Sequence, residues 1–333
     1  MDDATARAVG ETLDHLLLAD LTYRQAMPVL YEAAGYTYDY PLSMGAAQKI
    51  AGRCRPGDRI LILTGWPSRS WLFGDLTETD GPVGAVVLAR VLEEALGCIP
   101  IVGCMESLVP HLAACVRGAG LILGNLDQAL KSKPGPPSAA VAAVTSIPND
   151  LDGAKKLLSD INPSVVIAIE IPGPGIDGRF YTVSGRPIPS DEVPRADLLW
   201  QEAQELGMLT VGIGDGGNEL GMGALRPHAV ARIRNGEHAL STLPADQIVI
   251  GSNSNWGGQG LAAALLALSG RPDVFQRVDV ERIVNISSDN GAIDGLSARV
   301  DRAVDGTPAP MSQHLWQMMA LAVSSGLGGW QKG

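Results

Sequence analysis

The stretch RILILTGWPSRSWLFGDLTETDGPVGAVVLARVLEEALGCIPIV, residues 59–102, decides the fold class. Arg59 to Thr64 carries aliphatic residues on consecutive positions, the pattern of a strand covered on both faces. Gly84 to Leu96 then brings apolar residues round at helical spacing, and Ile99 to Val102 resumes the short apolar run. Strand-like runs alternating with helical windows predict an α/β fold. Downstream the alternation continues. Strands are expected at Leu121 to Leu123, Ala140 to Thr145, Val165 to Ile169, Leu209 to Ile213 and Gln247 to Ile250. Helices are expected near Pro110 to Val116, Leu151 to Ser159, Ala196 to Leu206, Gly258 to Leu268 and Met311 to Ser325. The architecture that follows has three layers, a mostly parallel sheet flanked by helices.

Upstream of Pro56-Gly57-Asp58 the reading is helical: Thr5 to Ala19, Tyr23 to Ala34 and Leu42 to Arg53. Residues 1–55 are therefore expected as an N-terminal helical cap packed on a main α/β domain of residues 56–333. No fixed-period repeat is visible, and KSKPGPPSAA at 131–140 reads as a surface connection.

Composition narrows the function classes. Of 333 residues 46% are hydrophobic and 18% charged, enough apolar material for a core and too little charge for a disordered chain. The net charge of −11 and the absence of any Lys/Arg-rich window argue against nucleic acid as a partner. The longest strongly apolar stretch, Leu261 to Leu268, is far below the ~20 residues of a membrane span. Cys54, Cys98, Cys104 and Cys115 form no C-x-x-C pair and read as reduced and buried, which together with an N-terminus lacking a targeting pattern predicts a cytoplasmic protein. A homodimer is admitted.

Loops after the C-terminal ends of parallel strands converge on one edge, where ligands bind. Four such loops are unusually rich in glycine and acids. The loop after Arg59 to Thr64 offers Arg69, Asp75, Glu78, Thr79 and Asp80 before Gly81-Pro82. Thr79 and Asp80 stand where a helix N-cap belongs, but one cap does not account for three acids and an arginine. The loop after Val165 to Ile169 begins with Glu170, a carboxylate closing an apolar strand, and continues through Asp177-Gly178-Arg179 as a hairpin laid over the site. The loop after Leu209 to Ile213 reads GIGDGGNELGMG. Its G-x-G-x-x-G lacks the long helix and distant acid of a dinucleotide site, because Gly221, Gly223 and Pro227 interrupt it. Gly214, Gly216 and Gly217 around Asp215, Asn218 and Glu219 instead describe a backbone folded against a small ligand, with N–H groups free to bind an anion. The last loop, GSNSNWGGQG, brings Asn253, Asn255 and Trp256; ISSDNGAIDG at 286–295 is a fifth segment of the same flavour. No phosphate-binding G-x-x-x-x-G-K-[ST], G-x-S-x-G elbow or zinc-type His/Cys cluster is present. Asp75, Asp80, Glu170 and Asp215 could furnish an oxygen site for Mg²⁺ or Mn²⁺.

In that order, LFGDLTETDGPVGAVVLARVLEEALGCIPIVG, EIPGPGIDGRFYTVSGRPI, VGIGDGGNELGMG and SNSNWGG resemble the D-glutamate cyclase family, over about residues 40 to 328. The resemblance implies a hydro-lyase converting D-glutamate to 5-oxo-D-proline with loss of water. Such a reaction needs one group to accept a proton and another, or a cation, to neutralise the γ-carboxylate. Asp215, Glu219 and Glu170 are the expected catalytic acids. Arg69, Thr79, Asp80, Gly81, Arg179, Gly214, Gly216, Gly217, Asn218 and Asn255 are the expected substrate contacts. A non-catalytic protein that binds a small acidic metabolite or nucleotide is the competing reading.

Overall fold

A computed structural model describes residues 1–23, 26–38, 41–69, 72 and 76–329. Three helices come first, α1 (Asp3–Leu17), α2 (Ala26–Ala34) and α3 (Leu42–Arg53). Then follow β1 (Arg59–Thr64), α4 (Pro82–Leu96), β2 (Ile99–Cys104), α5 (Val109–Gly118), β3 (Leu123–Gly124), α6 (Leu126–Lys131), β4 (Ala142–Ser146), α7 (Leu151–Ile161) and β5 (Val165–Ile169). The chain continues through the hairpin β6 (Phe180–Tyr181) and β7 (Pro187–Ile188), α8 (Ala196–Glu205), β8 (Leu209–Gly214), the single turns α9 (Arg226–Ala229) and α10 (Gly236–Ala239), β9 (Gln247–Ile250), α11 (Ser254–Ser269), α12 (Val280–Asp289), the pair β10 (Ala303–Val304) and β11 (Thr307–Pro308), and α13 (Ala309–Ser324).

Seven strands form a wholly parallel sheet in the order β3-β4-β2-β1-β5-β8-β9. Consecutive side chains of β1 point to opposite faces, so both faces must be apolar: Ile60 and Ile62 enter one core, Leu61 and Leu63 the other. On the first face lie α1, α3, α4, α5, α11, α12 and α13; α7 and α8 cover the second. The three layers follow. Buried Leu13 and Leu17 of α1 and Met44 and Ile50 of α3 share the first core with β1 and α11, so these helices belong to the helical layer. No described helix is long and apolar enough to cross a membrane.

The structure adds α6, α12 and the β10–β11 pair to the elements read from the sequence, and it redraws two loops. Ile286 to Asp289 close α12 and are not loop; only Asn290 onward is irregular. α11 begins at Ser254, four residues before the expected Gly258, because Asn253 caps it by accepting the Trp256 N–H at 2.9 Å.

Candidate functional site

Strand order reverses between β1 and β5, and there the flanking loops part to leave a crevice at the C-terminal edge. A cavity of about 270 Å³ opens at that point. It is small beside the roughly 300–1,000 Å³ of sites for drug-sized ligands, so it fits a small metabolite. Glu78 and Arg69 enter it from the loop after β1, Glu170 from the end of β5, Asp215 and Asn218 from the loop after β8, and Gly295 and Asp305 from the segment after α12. Thr182, Val183 and Ser184, the turn of the β6–β7 hairpin, line it from above. The hairpin is seated by Phe180 and Ile188, which bury against Trp66 and Val193.

The N-termini of α4 and α11 meet beneath the cavity and cap each other crosswise. Asp80, just before α4, accepts the N–H groups of Ser254 and Asn255 at 2.8 and 2.7 Å, both at the start of α11. Asn255 accepts those of Gly81 and Gly84 at 2.9 and 2.6 Å and donates to the Thr79 carbonyl at 2.8 Å. Each side chain thus satisfies the orphan donors of the other helix. The approach is so close that a Cβ on Gly84 would stand 2.7 Å from the Asn255 Cα. Gly81 has φ +93°, and a Cβ there would lie 2.7 Å from the Glu170 Cβ and 2.8 Å from the Thr64 hydroxyl.

Asp80, Glu170 and Asp215, all buried, each present an oxygen within 4.8 Å of the others. Glu170 accepts the Ser254 hydroxyl at 2.6 Å. Burial pushes the Glu170 carboxyl well above its usual range, and Asp215, Glu219, Asp80 and Glu78 push it the same way. Burial, then Asp305 and Asp215, raises Asp80 against the two α11 N–H groups that favour its charge. Glu78 is raised by burial and by Asp305, Asp80 and Asp215. Asp305 and Glu78 close on one point: a Cβ at Gly295 would collide with Asp305 Oδ1 and lie 2.8 Å from Glu78 Oε2. Arg69 is the one cation among the described lining residues, anchored by donating to Ser68 Oγ at 3.1 Å and to the Gly295 carbonyl at 2.9 Å. Of the seven described non-glycine residues with positive φ, Arg69, Glu170 and Asp305 line this cavity. Strain gathers where a fold holds reactive groups in place.

Not every expected site residue reaches the cavity. Glu219 turns into its own loop, accepting the N–H groups of Asp215, Gly216 and Gly217 at 3.0, 2.7 and 2.7 Å. The anion bound by that glycine-rich backbone is therefore Glu219 itself. Gly214 makes room for it, since a Cβ there would stand 2.6 Å from the Glu219 carboxyl carbon. Thr79 is buried with its hydroxyl on the Ala303 carbonyl at 2.7 Å, and Asn255 is wholly consumed in capping. Arg179 stands on the outer side of the hairpin, its side chain 72% exposed and 3.8 Å from Asp177. Asp75 lies outside the described residues. Glu78, Asp305, Ser254 and Trp66 were not among the expected site residues. Glu78 and Ser254 sat in loops already in view, whereas Asp305 carried no local signal.

A family profile described as D-glutamate cyclase-like, C-terminal, matches residues 13–320. The chain is 30% identical over 217 residues to human "D-glutamate cyclase, mitochondrial", an alignment that covers 63% of this chain and 33% of that protein. The chain thus spans about a third of the length of that relative.

Proposed function

The chain belongs to the D-glutamate cyclase-like family, and on that premise we propose that it is a lyase converting D-glutamate to 5-oxo-D-proline and water. The observation that carries this reading is the small covered cavity lined, among the described residues, by four buried acids and one guanidinium, with Asp80 clustered against two of those acids. Ring closure forms a bond from the α-nitrogen to the carbon of the γ-carboxyl group and breaks one of that carbon's bonds to oxygen. The ammonium gives up two protons, and both leave with the departing oxygen as water. The site must therefore move protons and offset carboxylate charge.

Arg69 holds a substrate carboxylate, since a planar guanidinium does so without titrating. Glu78 and Asp305, which crowd together beside Gly295, carry protons between the amine and the leaving oxygen. Asp80, Glu170 and Asp215 are an all-oxygen donor set of the kind that takes Mg²⁺ or Mn²⁺, and the excess of buried negative charge favours such an ion. A cation held there would polarise the γ-carboxyl as a Lewis acid. Glu219 serves as the clasp of the loop that presents Asp215. The hairpin turn at Thr182 to Ser184 excludes water from above.

The test is incubation with D- and L-glutamate followed by chiral chromatography of 5-oxoproline. Product from the D-enantiomer alone is expected, because exchange of amine and carboxylate between enantiomers misplaces one of them against Arg69. Equal rates on both refute the stereochemical assignment. A melting point raised by D-glutamate without product returns the site to the competing reading of a binding protein.

A further inference from the structure

Ser254 opens α11 with no exposed surface and touches two of the three clustered acids through two different groups. Its backbone N–H donates to Asp80 at 2.8 Å, and its hydroxyl donates to Glu170 at 2.6 Å. The two acids depend on it unequally. Asp80 also accepts from the N–H groups of Asn255 and Gly81, at 2.7 and 3.1 Å, so its position is over-determined. Glu170 leaves β5 with φ +44°, a backbone region an L-residue holds only under constraint. Among the described residues the Ser254 hydroxyl is the one hydrogen-bond donor to its carboxyl. Gly81 leaves the space Glu170 fills but does not orient it.

We propose that Ser254 is the positioning residue for Glu170: its hydroxyl holds the Glu170 carboxyl where it can share a divalent cation with Asp80 and Asp215. The inference rests on the cation reading of the site given above. Outer partners of this kind fix which oxygen of a ligating carboxylate faces the ion, and their loss typically lowers metal affinity by about 10- to 100-fold. The hydroxyl is separable from the rest of the residue. Ser254→Ala keeps the backbone N–H that caps onto Asp80, so α11 still starts at the same place. Ser254→Cys keeps the space filled, with a somewhat bulkier atom, but replaces a strong donor by a weak one.

The experiment measures Mn²⁺ affinity without substrate, by the electron paramagnetic resonance signal of the free ion, for the wild type and both variants. kcat and KM for D-glutamate are measured alongside. The expected result is a loss of about 10-fold or more in Mn²⁺ affinity in both variants, with unchanged far-ultraviolet circular dichroism and a kcat that recovers at saturating Mn²⁺. Loss in the alanine variant with full affinity in the cysteine variant would show that packing is what matters and overturn the proposal. Wild-type affinity in both variants overturns it while leaving the cation site standing. A wild type that binds no Mn²⁺ overturns the cation reading and this inference together.

Discussion

Raising the pH of the cation-free protein from about 5 to about 7 should destabilise it. Glu78, Asp80 and Glu170 have folded-state pKa values raised above their ordinary 4.5, 3.8 and 4.5 by burial and by one another. A raised carboxyl pKa means that the folded state holds a proton the unfolded chain has released. Its contribution is therefore full below the ordinary value and is lost as pH rises through the folded one. Each net proton so held is worth about 1.4 kcal/mol per pH unit, so a single one across two units amounts to about 2.7 kcal/mol. Buried Asp14, also raised by desolvation, acts in the same direction. His111 opposes them below its ordinary 6.5, because burial lowers its pKa, but it is one group against several. The exposed acids with lowered values, such as Asp273 and Asp177, act only near their ordinary 3.8 and below. The assay is guanidinium unfolding in chelator, followed by tryptophan fluorescence at several pH values, then repeated with Mn²⁺. Stability should fall with pH in chelator and recover with Mn²⁺ at the upper end. A stability that rises steadily from pH 5 to 7 in chelator would refute the view that these buried acids keep their protons.

Other consequences follow from single contacts. Arg69→Lys removes the fork that bonds Ser68 and Gly295 together, and should raise KM for D-glutamate about 10-fold or more, while Arg179→Lys on the outer hairpin should leave KM unchanged in the same steady-state assay. Glu219→Gln puts an amide donor against one of the three loop N–H groups. It should cost about 1–3 kcal/mol in denaturant unfolding and lower kcat through Asp215; an unchanged midpoint would mean the loop does not need its clasp. Gly81→Ala meets both a left-handed φ and a collision with Glu170, so a loss of at least ~2 kcal/mol is expected, and a loss under ~0.5 kcal/mol would place Glu170 elsewhere.

Much of this molecule is written in short stretches of its chain. Consecutive aliphatic residues in Arg59 to Thr64 and Val165 to Ile169 dictate strands covered on both faces, and a parallel sheet with helices on each side follows from that local chemistry. Glycine and acid crowding after β1, β5 and β8 likewise announced which loops would matter, because a backbone that must bend tightly beside charge shows it in composition. The direction each side chain takes was not legible. Asp80 reads as a cap for the helix that follows it, yet its main donors lie 174 and 175 residues away on α11. Ser254 meets Glu170 across 84 residues. Glu219 and Asp215 are four residues apart in one acid-rich loop, and only the folded backbone turns one inward to its own N–H groups and the other to the cavity. Arg179, on a hairpin that could cover the site, reads as at least as good a candidate as Arg69, yet in the fold its side chain is exposed while Arg69 lines the cavity. Local composition determines what a loop can offer, but which groups face one another is set by strand order and helix contact, pairings that no short stretch of sequence contains.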